Sequence, residues 1–186
     1  MTITFLSPLF PNFRPTFPSS SKVSLTCTAE APRRTLNINK YKSQRSILTS
    51  DKDELTGAEI NALFLRAGKS PRDEDKWQTA IENSYIVVSA RLITNRRLVG
   101  FARATSDCAL NGTIWDVVTD PSLPNEDLMK KNVMNYLLKD MRRTVPGCSI
   151  ALFAADEDLK LFETLDFVAE PDGIVGMAMY EGKFGV

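Results

Sequence analysis

Residues 112–131, GTIWDVVTDPSLPNEDLMKK, join an apolar strand pattern, a short loop and the acidic start of a helix. A strand that leads into a helix is a natural place to hold an anion, because the first helical turn offers unpaired N–H groups and the positive end of the dipole. Here that turn carries Glu126 and Asp127, and no glycine lies between Gly112 and Gly147. The segment therefore has the frame of a phosphate-binding site, but places carboxylates where a phosphate would bind.

The remaining composition narrows the available chemistry. The chain contains no histidine, which excludes Ser–His and Cys–His nucleophile pairs and histidine-based zinc sites. Its three cysteines (Cys27, Cys108 and Cys148) give neither a disulfide framework nor metal-ligand spacing, so we expect no bound metal. Any proton transfer would fall to Glu, Asp, Tyr, Lys, Cys or a water molecule.

The charges are unevenly distributed, although the net charge is zero. Residues 1–49 hold seven Lys or Arg and one acidic residue, whereas residues 50–186 hold sixteen basic and twenty-two acidic residues. A mildly acidic folded part is a poor nucleic-acid binder on electrostatic grounds. No apolar run approaches the ~20 residues needed to cross a bilayer. We therefore expect neither a nucleic-acid partner nor a membrane span.

Residues 1 to about 30 are rich in Ser, Thr and Pro, and Glu30 is their first acidic residue. This composition is typical of a plastid or mitochondrial transit peptide. Repeated prolines argue against an amphipathic helix and favour the plastid; the alternative is a disordered tail with no targeting role. We predict a mostly disordered transit peptide and linker over residues 1–49, with a linker or early strand at 31–49. A folded domain over residues 50–186 would then reside in the chloroplast stroma.

The folded part alternates between helical and strand patterns. Apolar residues recur at helical spacing from Leu55 until Gly68, and Ser70-Pro71 starts a second helix. Strands are predicted at 85–93, 97–106 and 113–119, with a tight turn at Asn111-Gly112 joining the last two. A helix at 129–141, a strand at 149–154, a helix at 156–165 and strands at 167–169 and 174–180 follow. The order α-α-β-β-β-α-β-α-β-β indicates an α/β (α+β) fold with a mixed sheet and helices packed on it.

Five segments at the joints of this order resemble the GNAT superfamily of acetyl-CoA-dependent N-acetyltransferases. They are LVGFARATSD (98–107), TIWDVVTDPS (113–122), SIALFAAD (149–156), LFETLDF (161–167) and EPDGIVGMAMY (170–180). The likeness is greatest to the plant plastid branch that includes serotonin and protein N-acetyltransferases. It implies the GNAT fold, a mostly antiparallel sheet splayed at a β-α-β cofactor site, with acetyl-CoA as co-substrate.

The resemblance also implies which residues meet the cofactor. By position, Val117, Val118 and Thr119 would offer backbone groups to the pantetheine arm. The family then grips the diphosphate with a Gln/Arg-x-x-Gly-x-Gly/Ala loop, which PNEDLM (124–129) replaces here without a single glycine. The positions that would lie along the diphosphate are Asn125, Asp127, Leu128, Met129 and the basic Lys130.

This replacement predicts weakened cofactor binding. Glycines let a phosphate approach the backbone, whereas Asp127 and Met129 place side chains there. A carboxylate ~5 Å from a phosphate charge costs roughly 3 kcal/mol at an effective dielectric constant near 20, before screening. Alternatively, these residues serve the helix alone, with Asn125 as its cap and Glu126 and Asp127 complementing its dipole.

The catalytic positions are also altered. The family's acidic Tyr, which protonates the departing thiolate, is replaced by Phe162, which has no hydroxyl. Phe162 is more simply explained as a core aromatic at helical spacing with Leu159 and Leu165. Asp116, on the strand beside the expected thioester, is a candidate general base acting through water. The alternative for Asp116 is a surface or hydrogen-bonded strand residue.

Two functions follow from the resemblance. The first is acetyl transfer from acetyl-CoA to an amine: a protein Lys or N-terminus, or an arylalkylamine such as serotonin. The second is a non-catalytic protein that keeps the fold as a protein-interaction module. In either case we expect the chain to form a homodimer, or a heterodimer with a related acetyltransferase.

Overall fold

A computed structural model describes residues 45–177 of the 186-residue chain. This part contains five strands: β1 (Ser46–Thr49), β2 (Ile86–Leu92), β3 (Leu98–Ser106), β4 (Asn111–Thr119) and β5 (Ser149–Leu152). Its α-helices are α1 (Gly57–Arg66), α2 (Glu74–Asn83), α3 (Glu126–Thr144) and α4 (Leu159–Glu163). Short 3₁₀ turns lie at Asp156–Asp158 and Pro171–Gly173. The predicted transit peptide over residues 1 to about 30 lies outside the described residues.

The strands form one sheet in which spatial order follows chain order, β1-β2-β3-β4-β5. The first three pairings are antiparallel, and β4 pairs with β5 in parallel through α3. The predicted mixed sheet with packed helices is therefore confirmed. Within residues 45–177, no helix is long and apolar enough to cross a membrane.

The sheet is covered on both faces, and each face has its own core. Along β2, Val88 packs into the cluster under α3, whereas Val87 packs into the cluster under α1 and α2. Every residue of β2 is buried, including the polar Ser89 and Arg91, so its sequence does not show the alternation of a strand with one exposed face. Gly100 of β3 allows α3 to pack closely, since a side chain there would meet Val133 at 3.0 Å. The two cores fix the strands that carry the candidate site.

The turn between β3 and β4 differs from the prediction. Asn111 and Gly112 are the first residues of β4, so a tight turn at these two residues is wrong. The chain instead reverses at residues 107–110, where the Asp107 carboxylate accepts hydrogen bonds from the N–H groups of Ala109, Leu110 and Asn111. Aspartate builds such turns because its side chain satisfies nearby amides.

We expect the Asp107 turn to make stability depend on acid pH. Hydrogen bonds from the amides of Asn111, Ala109 and Leu110 lower the pKa of Asp107 from 3.8 to about 2. Because the pKa is depressed in the folded state, the stabilisation is present above about pH 4 and is lost as the pH falls toward 2. Urea unfolding of wild type and Asp107→Asn should therefore differ most near neutral pH and converge between pH 4 and 2. A pH-independent difference would contradict this.

The end of the domain also departs from the prediction. Residues 167–169 and 174–177 form no strand, and residues 178–180 lie outside the described part of the chain. Three non-glycine residues, Asp166, Glu170 and Asp172, have positive φ angles of 68°, 48° and 54°, which interrupt an extended backbone. The sequence pattern of alternating apolar residues does not reveal these three breaks.

Smaller differences concern where elements begin. Helix α2 starts at Glu74 rather than at Ser70-Pro71, because Asp73 caps it by accepting a hydrogen bond from the Lys76 amide. The helix predicted at 156–165 is divided into a 3₁₀ turn and α4. Of the predicted linker or early strand, residues 46–49 form β1 at the edge of the sheet.

Candidate functional site

The β4 and β5 strands separate along their length and leave an opening. β5 pairs only with the first four residues of β4, ending at Ile114 opposite Leu152. β4 continues to Thr119, and residues 115–119 have no strand neighbour on that side within the described part of the chain. Their other side is paired with β3, through Phe101–Val118 and Gly100–Thr119. Trp115, Asp116 and Val117 are at least partly exposed, so their backbone groups on this side are available to an extended ligand that carries amides. Val118 and Thr119 are each only 2% exposed.

A β-bulge shapes this opening. Phe101 pairs with Val118 and Arg103 with Trp115, so Asp116 and Val117 together oppose one residue of β3. Asp116 has a φ of 56°, and such a bulge bends and twists its strand. Val118 is buried in the core under α1 and α2, while Val117 packs against the core under α3. The structure thus brings the predicted residues Val117, Val118 and Thr119 together at the opening.

The first turn of α3 lies at one end of the opening. Asn125 occupies the N-cap position, as predicted, but its side chain makes no capping hydrogen bond. Of the other predicted diphosphate residues, Asp127 and Leu128 are exposed, whereas Met129 is buried in the core. Only part of this predicted set is therefore accessible to a ligand.

Four polar side chains connect the two sides of the opening. The Thr119 hydroxyl donates to Glu126 at 2.9 Å. The Lys130 ammonium lies 2.6 Å from the Asp158 carboxylate and 3.9 Å from that of Glu126. We call this set, Thr119, Glu126, Lys130 and Asp158, the polar bridge. It runs from the end of β4, over the first turn of α3, to the 3₁₀ turn that follows β5.

In the polar bridge, Lys130, the basic residue predicted to lie along the diphosphate, is already paired with carboxylates. The Lys130 side chain is only 12% exposed and is held between two carboxylates. One positive and two negative charges leave the bridge with a net charge of −1, and the exposed Asp127 adds another negative charge. Coulomb repulsion therefore opposes a diphosphate at this helix terminus.

The Asp116 carboxylate is held by two arginines. Its Oδ2 accepts a hydrogen bond from Arg103 Nε at 2.6 Å, and its Oδ1 lies 2.9 Å from Arg72 Nη2. The side chain is 8% exposed. Both carboxylate oxygens are thus already engaged with cations, which corresponds to the hydrogen-bonded alternative for this residue rather than to a free base.

Phe162 lies in the core rather than at a polar surface. It is 4% exposed and belongs to the cluster under α3. Its ring packs edge-on against Phe167, with 6.2 Å between centroids. The position that carries an acidic hydroxyl in the resembled family is therefore apolar in both composition and surroundings.

Asp120, which the sequence interpretation missed, fixes the loop between β4 and α3. It is fully buried and accepts hydrogen bonds from Arg66 Nε at 2.7 Å and from the amide and hydroxyl of Ser122. Burial raises the pKa of Asp120, but the hydrogen bonds from Ser122 and Arg66 outweigh it and the net pKa is lowered. The only sequence signal was an acidic residue directly after an apolar strand.

Comparisons with known proteins show the family of the chain. No protein-family model matches the chain. The chain is 35% identical over 147 residues to "GCN5-related N-acetyltransferase 1, chloroplastic" of Arabidopsis thaliana, a match that covers 78% of this chain and 73% of the relative. It is 36% identical over 134 residues to "Serotonin N-acetyltransferase 2, chloroplastic" of Oryza sativa subsp. japonica, covering 69% of this chain and 66% of the relative.

Solved structures share the fold. A probable acetyltransferase from meticillin-resistant Staphylococcus aureus superposes with a TM-score of 0.64 at 21% identity, over 73% of this chain and 99% of that chain. At this identity the likeness concerns the fold alone.

Proposed function

This chain belongs to the GNAT superfamily of N-acetyltransferases, and from that premise we propose that it transfers an acetyl group from acetyl-CoA to an amine with weakened cofactor binding. The observation that carries the proposal is the stretch of β4 at residues 115–119, which has no strand neighbour on the β5 side and contains the bulge at Asp116 and Val117. An extended pantetheine arm carries amides that such a strand edge can bind.

In this proposal, backbone groups rather than side chains hold the pantetheine arm and stabilise the oxyanion. The strand edge at the partly exposed Val117 holds the arm, next to Val118 and Thr119, which are each 2% exposed. The N–H of Val118 or its neighbour stabilises the oxyanion that forms during acyl transfer. Acetyl-CoA supplies the activated acetyl thioester. Because Phe162 has no ionisable proton, we propose that solvent water, rather than a side chain at that position, protonates the leaving thiolate.

The chain fits the two halves of acetyl-CoA unequally. The pantetheine half meets an open strand edge anchored by two cores. The diphosphate half meets the polar bridge, where Lys130 is already paired with Asp158. We therefore propose that the arm contributes most of the binding free energy and the nucleotide little.

The substrate and location are drawn from the relatives. Their names refer to serotonin in the rice protein and to histones in "Histone acetyltransferase TAP1" of Glycine max, which is 34% identical over 143 residues. We propose a protein amine, Lys or N-terminus, or an arylalkylamine as acceptor. The Arabidopsis and rice relatives are named chloroplastic, and the Ser- and Pro-rich leader favours the plastid stroma here too.

A second function is a GNAT-fold protein-interaction module without catalysis. The specific observations that favour it are the paired Lys130 and the buried Phe162, since both changes fall on cofactor-facing positions while the cores are complete. In that case the chain pairs with itself or with an active relative.

Acetyl-CoA titration of the full chain separates the two functions. We expect product formation by mass spectrometry with millimolar acetyl-CoA and a peptide amine, and a rate that keeps rising well above micromolar concentrations. A ligand at 100 times its dissociation constant stabilises the folded state by about 2.7 kcal/mol, which a thermal-shift assay detects. If millimolar acetyl-CoA gives no product and no thermal shift, the enzyme is excluded and the interaction module remains.

A further inference from the structure

We propose that Arg72 and Arg103 form a carboxylate-binding site beside the β4 bulge, so that the preferred acceptor is an amine with an acidic group next to it. For a peptide, this means a free N-terminus followed by Asp or Glu. The assignment of this ligand as an acceptor rests on the proposed function; the carboxylate site itself rests on the two arginines. Asp116 lies two residues before Val118, within the same bulged stretch of β4.

The cluster formed by Arg72, Arg103 and Asp116 has an excess of one positive charge. Asp116 is its only carboxylate, and each oxygen of Asp116 is taken by one guanidinium group. Two arginines and one aspartate leave a net charge of +1. A cationic group entering here meets repulsion, and Asp116 is already occupied, whereas an anion finds a complementary partner.

Both guanidinium groups retain donors for a further ligand. Within residues 45–177, Arg103 uses Nε for Asp116 and its two terminal nitrogens have no hydrogen-bond partner. The buried side-chain nitrogen and oxygen atoms without a partner in this part of the chain are Ser89 Oγ and Arg91 Nε. The terminal nitrogens of Arg103, whose side chain is 16% exposed, are not among them, so solvent reaches these atoms. The Arg72 side chain is 52% exposed, so solvent reaches its guanidinium group as well. A guanidinium edge matches a carboxylate in a two-point contact.

Arg72 is held in place although its side chain is 52% exposed. Its guanidinium carbon lies 5.0 Å from the ring centroid of Trp77 and 5.6 Å from that of Phe64. Asn61 clamps its backbone, accepting a hydrogen bond from the Arg72 amide at 2.9 Å and donating one to its carbonyl at 2.6 Å. Because the side chain is already ordered, a ligand that binds it loses little side-chain entropy.

There is room for an acceptor on this side of the sheet. A cleft of about 380 Å³ opens at Arg72, and its other lining residues are Asp73, Lys76, Trp77 and Ala80. Its charged lining, two cations and one carboxylate, again has an excess of one positive charge. The cleft can therefore accommodate the acidic residues that follow the acetylated amine.

Binding of matched peptides to the full chain tests the site. The probes are Ala-Asp-Glu-Phe, its isosteric amide Ala-Asn-Gln-Phe and the basic Ala-Lys-Lys-Phe, all with free N-termini, measured by calorimetry without acetyl-CoA. We expect the acidic peptide to bind at least about 10-fold more tightly than the amide peptide, the value of one net charge-assisted hydrogen bond. Arg72→Gln and Arg103→Gln should each abolish most of that preference.

Two further variants make the result specific. Arg72→Lys keeps the charge but loses the planar guanidinium edge that contacts both oxygens of a carboxylate. We therefore expect an intermediate preference for the acidic peptide. Arg143→Gln removes an arginine that pairs with Asp140 at the far end of α3 and should leave the preference unchanged. Equal binding of all three peptides, or a preference that survives Arg72→Gln in a folded protein, would overturn the proposal.

The same peptides distinguish this inference from the proposed function. Because binding is measured without cofactor, a peptide preference with no acetylation would disprove the enzyme but leave the carboxylate site. Acetylation of all three peptides at equal rates, with equal affinities, would support the enzyme and disprove the site.

Discussion

Replacing Asp120 with alanine should lower the free energy of unfolding by about 3 kcal/mol, because it removes the hydrogen bonds that Arg66 and Ser122 donate to a buried carboxylate. Asp120 is fully buried and joins the end of β4 to Arg66 of α1 and to Ser122. Without it, the Arg66 guanidinium keeps one partner, the Leu98 carbonyl, and Ser122 loses the two hydrogen bonds that it donates to Asp120. Urea unfolding at neutral pH measures the loss.

The matched control is Asp140→Ala, which removes an aspartate paired with the exposed Arg143. An exposed pair of this kind contributes less than about 1 kcal/mol. Because the pKa of Asp120 is lowered on folding, its contribution is present above the pKa of the unfolded state and is lost in acid. Wild type should therefore lose more stability than Asp120→Ala as the pH falls below about 4. Equal losses in Asp120→Ala and Asp140→Ala would contradict this role.

Neutralising the carboxylates around Lys130 should raise the affinity for acetyl-CoA about 100-fold. In the triple variant Glu126→Gln, Asp127→Asn, Asp158→Asn, three negative charges near the diphosphate position are removed and Lys130 is released. If screening reduces each repulsion to about 1 kcal/mol, the sum corresponds to roughly two powers of ten in the dissociation constant. Calorimetric titration of acetyl-CoA measures the change.

The control for this variant is Glu157→Gln, which removes one charge from the same 3₁₀ turn at an exposed position outside the polar bridge. It should change the affinity by less than about 3-fold, since an exposed and solvated charge is largely screened. Adding Lys130→Ala to the triple variant should reverse much of its gain. A folded triple variant that binds acetyl-CoA no better than wild type would show that repulsion is not what limits binding.

The sequence predicts the frame of the site well because the frame depends on local patterns. The apolar run at 113–119 and the amphipathic helix that follows are visible as periodicities. The crossover from β4 through α3 to β5 is visible in the same way, and the resemblance of residues 113–122 indicates the family to which the chain belongs. The turn at 107–110 was misplaced because Asn-Gly is a stronger local signal than an aspartate whose side chain collects three amides.

The contacts that close the site depend on residues far apart in the chain. Asp158 is 28 residues from Lys130 in sequence, and nothing in the acidic run 156–158 indicates that one member is paired. The contacts of Asp116 are equally invisible in the sequence, because its two arginine partners come from β3 and from the segment before α2. The strands predicted after α4 are not formed at residues 167–169 and 174–177. The prediction missed this because positive φ angles at Asp166, Glu170 and Asp172 leave no signal in hydrophobic periodicity.

The most direct test of the account compares acetyl-CoA with acetyl-pantetheine, which has the arm but no diphosphate, by calorimetry on the wild-type chain. If the polar bridge excludes the diphosphate, the two ligands should bind with dissociation constants within about 3-fold of each other, less than 1 kcal/mol apart. Acetyl-CoA binding 100-fold or more tightly, a difference of about 2.7 kcal/mol in favour of the nucleotide, would contradict the account.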